Sequence, residues 1–124
     1  MATVDITADT FEETIEKNDI VVVDFWAEWC GPCKSFAPIY EEVSNDYDDV
    51  VFGKIDTEAE QELGAHFNIR SIPTLMIFRE QVVLFSQAGM LNNTQLKEVI
   101  EKVKALDMAE VHAEIAKGEQ QQDA

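Results

Sequence analysis

Apolar positions along this chain come in short runs separated by acidic stretches, and the period of each run assigns an element. Ile20-Val21-Val22-Val23-Asp24-Phe25-Trp26 is almost continuously apolar and rich in β-branched residues. It predicts a central strand covered on both faces. Val4-Asp5-Ile6 is a shorter strand candidate. Thr10-Phe11-Glu12-Glu13 has the Ser/Thr-x-x-Glu form of a capping box and predicts a helix to about Lys17. Phe36, Tyr40, Val43 and Tyr47 fall on one stripe, so residues 33–47 read as a helix. Pro38 lies inside it and predicts a kink. Residues 49–56 read as a third strand. Residues 58–67 read as a short acidic helix with Ala59, Leu63 and Phe67 inward. Residues 74–79 and 82–87 are spaced for an antiparallel hairpin. Its turn carries Glu80 and Gln81 rather than glycine or asparagine, which disfavours a tight two-residue connection and predicts a longer or distorted loop. Asn93 or Thr94 then opens a helix to about Leu106, with Leu96, Val99, Ile100 and Val103 inward.

The order β-α-β-α-β-α-β-β-α predicts an α/β domain over residues 1–106, a central mixed sheet with helices on both faces. Met108, Val111, His112 and Ile115 then recur at helical spacing. They predict an extra C-terminal amphipathic helix over 107–117, stopped near Gly118, with 118–124 disordered. An apolar stripe is most often core, so this helix is expected to dock on its own domain through Met108, Val111 and Ile115. A dimer contact or a partner-binding surface is the alternative.

Composition narrows the function classes. The 124 residues suffice for one domain with a real core. Their 25 acidic and 9 basic residues give a formal charge of −16, which argues against nucleic acid and anionic membranes as partners. No apolar run approaches transmembrane length, and the N-terminus lacks the basic-then-apolar pattern of a signal peptide. A cytoplasmic, monomeric protein is the expectation.

The two cysteines of the chain, Cys30 and Cys33, follow the central strand at the start of the next helix. A structural disulfide over so short a loop gains little. A zinc site needs about four ligands, and His66 and His112 are far apart without knuckle spacing. No metal and no cofactor are expected. A Cys-x-x-Cys at a strand-to-helix turn is redox architecture, because a thiol at a helix N-terminus meets free N–H groups and the helix dipole. Asp24 shares a face with Val22 and Trp26 on a strand that should be covered on both sides, so it should be buried. Burying a carboxylate is costly, and the functional reading is a proton relay behind the dithiol with a raised pKa. A purely structural, hydrogen-bonded aspartate is the alternative. Lys54 on the next strand is its natural counter-charge, or else a lysine snorkelling from a strand end. Pro73 marks a strand start. Sequence physics alone does not decide whether its peptide bond is cis.

The run Asp24-Phe25-Trp26-Ala27-Glu28-Trp29-Cys30-Gly31-Pro32-Cys33-Lys34, with Pro38, Lys54, Ile72-Pro73-Thr74 and Gly89 downstream, resembles the thioredoxin family over residues 3–106. The resemblance implies a thioredoxin fold and a general protein-disulfide reductase. In that reading Cys30 is the exposed attacking thiolate and Cys33 the buried resolving thiol. Asp24 is the acid/base, with Lys54 its charged neighbour, and Pro73 is a cis-proline facing the dithiol. Trp29, Gly31, Pro32, Ile72 and Gly89 form the docking surface for a substrate. The implied partners are disulfide-containing proteins and a thioredoxin reductase as electron donor. Gly31-Pro32 between the cysteines resembles the reducing members, since oxidising and isomerising relatives usually carry a histidine there. The rival reading is a thioredoxin-fold adaptor whose C-terminal helix docks a partner.

Overall fold

The computed structural model describes residues 2–123. Five strands and five helices follow one another: β1 (Thr3–Asp5), α1 (Ala8–Lys17), β2 (Ile20–Trp26), α2 (Gly31–Ser44), β3 (Val51–Asp56), α3 (Gln61–His66), β4 (Thr74–Arg79), β5 (Val82–Ala88), α4 (Asn93–Ala105) and α5 (Met108–Asp123). The strands form one sheet in the order β1-β3-β2-β4-β5. β2 runs parallel to β3 and antiparallel to β4, so the sheet is mixed, as the alternation of elements predicts.

β2 is the middle strand, and each face of the sheet carries its own core. On one face Val22 packs with Phe36, Tyr40 and Val43 of α2 and with Leu96, Ile100 and Val103 of α4. On the other, Val21, Val23 and Phe25 pack with Ile15 of α1 and Leu63, and Phe11 and Phe67 lie against them. The period-2 alternation of β2 therefore has apolar partners on both sides, which is why the run is nearly continuous. Gly53 is where β1 closes on the sheet. A Cβ there would stand 2.1 Å from Cδ1 of Ile6, so any larger residue would have to displace the buried Ile6 side chain.

The ends of α1, α2, α3 and α4 differ from the expected ones by a turn or less. Thr7, not Thr10, caps α1; its N–H donates to the Thr10 hydroxyl at 3.0 Å. Asn92 caps α4 reciprocally: its side chain accepts from the Gln95 N–H at 2.8 Å, and Gln95 accepts from the Asn92 N–H at 3.0 Å. α2 ends at Ser44 rather than Tyr47, and α3 begins at Gln61 rather than Glu58.

The hairpin is a correction. Its ladder closes on Arg79 and Val82, so Glu80 and Gln81 form a tight two-residue turn after all. Both adopt the left-handed conformation, with φ of 49° and 68°. Surrounding contacts hold it there. The Glu80 N–H donates to the Asp19 carbonyl at 2.9 Å, and the Glu80 carboxylate lies 3.0 Å from His112 Nε2. The irregularity expected of the loop appears instead within the ladder, where the register shifts between Ile77 and Phe78.

Arg79, at the end of β4, ties the hairpin to the C-terminal segment. Its Nη1 donates to the carbonyls of Val103, Lys104 and Leu106 at 2.8, 3.1 and 3.1 Å, satisfying orphan acceptors at the end of α4. Asp107 then caps α5, accepting from the N–H groups of Ala109 and Glu110 at 3.0 and 3.3 Å. Met108 is buried and Val111 half-buried, but Ile115 stays exposed at the open end of a groove floored by Val82, Val83 and Leu84. The expected three-residue anchor is thus mainly one residue. The expected stop at Gly118 is also not taken, because α5 runs on through Gly118 to Asp123; Ala124 lies outside the described residues. The Glu-Gln-Gln-Gln run that follows Gly118 has good helix propensity, which offsets the roughly 1 kcal/mol cost of one interior glycine.

Two substitutions test these local arguments in urea unfolding. Gln81→Gly should raise stability by about 1 kcal/mol, the order of the cost of one left-handed non-glycine residue. A loss would show that the Gln81 side chain stabilises the turn. Met108→Ala should cost about 1–2 kcal/mol, at or below the low end for buried truncations because α5 is peripheral, and Ile115→Ala almost nothing. Equal costs would mean α5 is seated differently.

Candidate functional site

Where β2 ends, the chain turns sharply. Ala27 is buried, and its carbonyl accepts from the Cys30 N–H at 3.2 Å. That turn makes Cys30 the N-cap residue of α2, with Pro32 inside the first turn, where its missing N–H is not needed. Cys33 lies in that turn, and the two sulfurs form a disulfide with Cα atoms 5.2 Å apart. Cys30 Sγ accepts from the Cys33 backbone N–H at 3.2 Å and lies 3.7 Å from the Ile72 carbonyl oxygen. A thiolate formed on Cys30 by reduction meets the same N–H and the positive end of α2, both of which favour the charged form.

The two sulfurs differ in access, though not in the way expected. Cys30 is only 3 % exposed, as is Cys33, so it is not an open thiol in this oxidised state. The difference is that Cys30 lines a groove of about 590 Å³ and Cys33 does not. Trp29, Gly31, Pro32 and Ile72 line the same groove. Trp29 is 67 % exposed, and its indole N–H donates to the Glu58 carboxylate, which fixes the ring at the rim. The Ile72–Pro73 peptide bond is cis. The Pro73 carbonyl accepts from the Gly89 N–H at 2.8 Å, and Gly89 has φ of +100°, a conformation that glycine alone adopts readily. Gly89 and Pro73 thus stand behind Ile72, while Asp24 and Lys54 lie within the sheet rather than in the groove.

Asp24 is 1 % exposed, and neither carboxylate oxygen has a hydrogen-bond partner among the described residues. Burial pushes its pKa up from 3.8 to about 7, against the opposing pull of Lys54. Lys54 stands opposite it in the β2–β3 register. Its ammonium does not hydrogen-bond the carboxylate; it lies over the Trp26 ring, 4.9 Å from the centroid. The buried Tyr40 is held against ionisation by its own burial and by the Asp24 charge, which places it as a further neighbour of that carboxylate. The sequence pattern put Tyr40 on the inward stripe of α2, but it gave neither Tyr40, nor Glu58, nor Arg70, another residue lining the groove, a place at the site. Each gains its place only when α2, α3 and the segment before β4 converge.

A family model described as Thioredoxin matches residues 2–102. The chain belongs to the thioredoxin family. A "Putative thioredoxin 2" from Streptomyces coelicolor is 50% identical over 120 residues, 97% of this chain and 90% of that protein. A thioredoxin from Staphylococcus haemolyticus is 39% identical over 105 residues, 82% of this chain and 98% of its own length. Among solved structures, a Plasmodium falciparum thioredoxin superposes with a TM-score of 0.74 at 39% identity, covering 81% of this chain and 97% of that one. With its Cys30–Cys33 pair, this thioredoxin is a thiol-disulfide oxidoreductase. Among the described residues no helix is long and apolar enough to cross a membrane.

The Asp24 environment predicts a pH-dependent stability. A carboxyl whose pKa rises from 3.8 unfolded to about 7 folded leaves the fold unpenalised below pH 3.8 and costs increasing stability as pH rises towards 7. The full displacement corresponds to about 4 kcal/mol, an upper bound that structural relaxation reduces. Asp24→Ala should therefore be more stable than the parent at pH 8, by about 1–3 kcal/mol after the loss from the small cavity, with no advantage at pH 4. Urea unfolding at both pH values measures this. A mutant no more stable at pH 8 would mean the carboxylate is well compensated in the fold.

Proposed function

We propose that this thioredoxin is a general protein-disulfide reductase, cycling between a Cys30/Cys33 dithiol and the disulfide as a cytoplasmic monomer. The observation that carries the reading is the placement of Cys30 Sγ. It caps α2, opens onto an apolar groove, and sits beside the Ile72 carbonyl at hydrogen-bonding depth for an extended segment.

The chemistry follows from that placement. Reduced Cys30, as thiolate, attacks one sulfur of a target disulfide. The target S–S bond breaks, a Cys30–target mixed disulfide forms, and the first target sulfur leaves as thiolate and takes a proton. Cys33, deprotonated towards Asp24, then attacks Cys30 Sγ. The mixed disulfide breaks, the Cys30–Cys33 bond forms, and the second target thiol is released. Two electrons pass from the dithiol to the target. Asp24 suits the proton step because a pKa of about 7 lets it hold or release a proton near neutrality. Lys54 moderates that pKa. A thioredoxin reductase returns the electrons, and no bound cofactor takes part. Trp29, Gly31, Pro32 and Ile72 receive the target, with Pro73 and Gly89 holding the Ile72 segment in place. Gly31-Pro32 supports reduction over oxidation, because no imidazole stands between the cysteines to stabilise a leaving thiolate. An adaptor would have no use for an uncompensated buried carboxylate.

The test separates the two thiols. Cys30→Ser should abolish insulin-disulfide reduction. Cys33→Ser should still attack but stop at the mixed disulfide, which mass spectrometry reads as a covalent adduct. Normal turnover by Cys33→Ser, with no small-molecule thiol present, would refute the assigned order.

A further inference from the structure

The groove beside Cys30 extends past the docking surface to Gln61, Gly64 and Ala65 of α3 and to Arg70. Among the described residues that line it, Arg70 is the only charged one. The chain carries 25 acidic and 9 basic residues, so carboxylates able to pair a cation are plentiful. Of the nine, Lys17, Arg79, Lys97, Lys104 and Lys117 are ion-paired among the described residues. Arg70 is not. Its described hydrogen bond uses Nε alone, donated to Asn68 Oδ1 at 3.4 Å, so the outer edge of the guanidinium stays open. The backbone beneath it is held in place. The Asn68 N–H donates to the Ala65 carbonyl at 3.0 Å, and the Ile69 N–H to the Gly64 carbonyl at 2.8 Å. On the other side of the groove, Glu58 is occupied by the Trp29 indole.

We propose that Arg70 forms an anion subsite that selects disulfide substrates carrying an acidic side chain within a few residues of the attacked cysteine. This rests on the reductase reading of the groove. A target segment whose sulfur reaches Cys30 lies along a trough whose one fixed charge is this guanidinium. A planar, permanently charged fork on an anchored backbone suits a carboxylate better than a lysine would. The chain's overall negative charge repels every acidic peptide alike, so a local attraction shows as a dependence on position rather than on net charge.

The experiment uses reduced full-length protein and a set of synthetic disulfide peptides of one length. A single Glu is scanned through the three positions on either side of the target cysteine, with Gln and Lys counterparts at each. Rates of disulfide reduction are compared for the parent, Arg70→Gln and Arg70→Glu at low and high salt. The parent should favour Glu over Gln at one or two positions by about two- to fivefold, the range of an exposed ion pair. Salt should shrink the preference, Arg70→Gln should remove it, and Arg70→Glu should transfer it to Lys at the same positions. The rate on the all-Gln peptide is each protein's own baseline, against which its Glu and Lys preferences are read, and turnover of that peptide shows that the variants are folded and chemically competent. A preference spread evenly over all positions, or one that survives in Arg70→Glu, overturns the subsite. Failure of the parent on the all-Gln peptide would instead strike at the reductase reading itself.

Discussion

The burial of β2 on both faces is the constraint from which the site follows. With β3 on one side, β4 on the other and a core against each face, the strand has no freedom in direction or register. Whatever follows Trp26 is delivered to one place. There the Ala27–Cys30 turn converts strand into helix, and the first cysteine arrives as the cap of α2. A loop-borne cysteine would have to be held by side-chain contacts. Here the position of the sulfur is inherited from the central strand, which is buried on both faces.

The same constraint makes Asp24 expensive. On a surface strand it would be hydrated. On β2 its alternation points it into the layer beneath α2, with only the electrostatic reach of Lys54 in compensation. The cation itself is held by the Trp26 ring, so no ion pair quenches the carboxylate. A direct pair would lower the Asp24 pKa and take the group out of the range where it exchanges protons near neutrality. Incomplete compensation is therefore the property on which the acid–base role proposed for Asp24 depends, and the lost stability is its counterpart.

What was legible in the sequence was what local pattern dictates. The continuous β2 run, the alternation of elements and the helix stripes lead to the sheet and its two cores. The Cys-x-x-Cys at a strand end and the Asp24 inside an apolar run mark the Cys30–Cys33 pair and a buried carboxylate. What was not legible depended on contacts between distant segments. Glu80 and Gln81 have no intrinsic preference for left-handed backbone; Asp19 and His112, far away in sequence, hold Glu80 there. The near-burial of Cys30 comes from the Ile72 segment closing over it, and the Glu58 clasp on Trp29 from the approach of the segment before α3. No period or spacing encodes such encounters. Gly118 failed as a stop for the opposite reason: glycine at a helix end is a local preference, and the helix-forming residues after it outweigh it.

α5 lies outside the redox apparatus. The family model ends at residue 102, ahead of it, whereas the match to the Streptomyces coelicolor protein spans 120 of 124 residues and leaves at most four outside. The added helix thus has a sequence largely matched in at least one relative. Its groove and the groove at Cys30 have no residue in common. Its attachment runs through Arg79, Glu80 and Asp107, at the opposite end of β4 from Pro73. Any effect of α5 on disulfide chemistry would have to travel the length of β4, a strand paired on both edges and packed in both cores. Such a strand is poorly suited to adopt two arrangements. The physical consequence of α5 is therefore local: it covers the end of the hairpin and the carbonyls that close α4, and leaves the dithiol to β2 and α2.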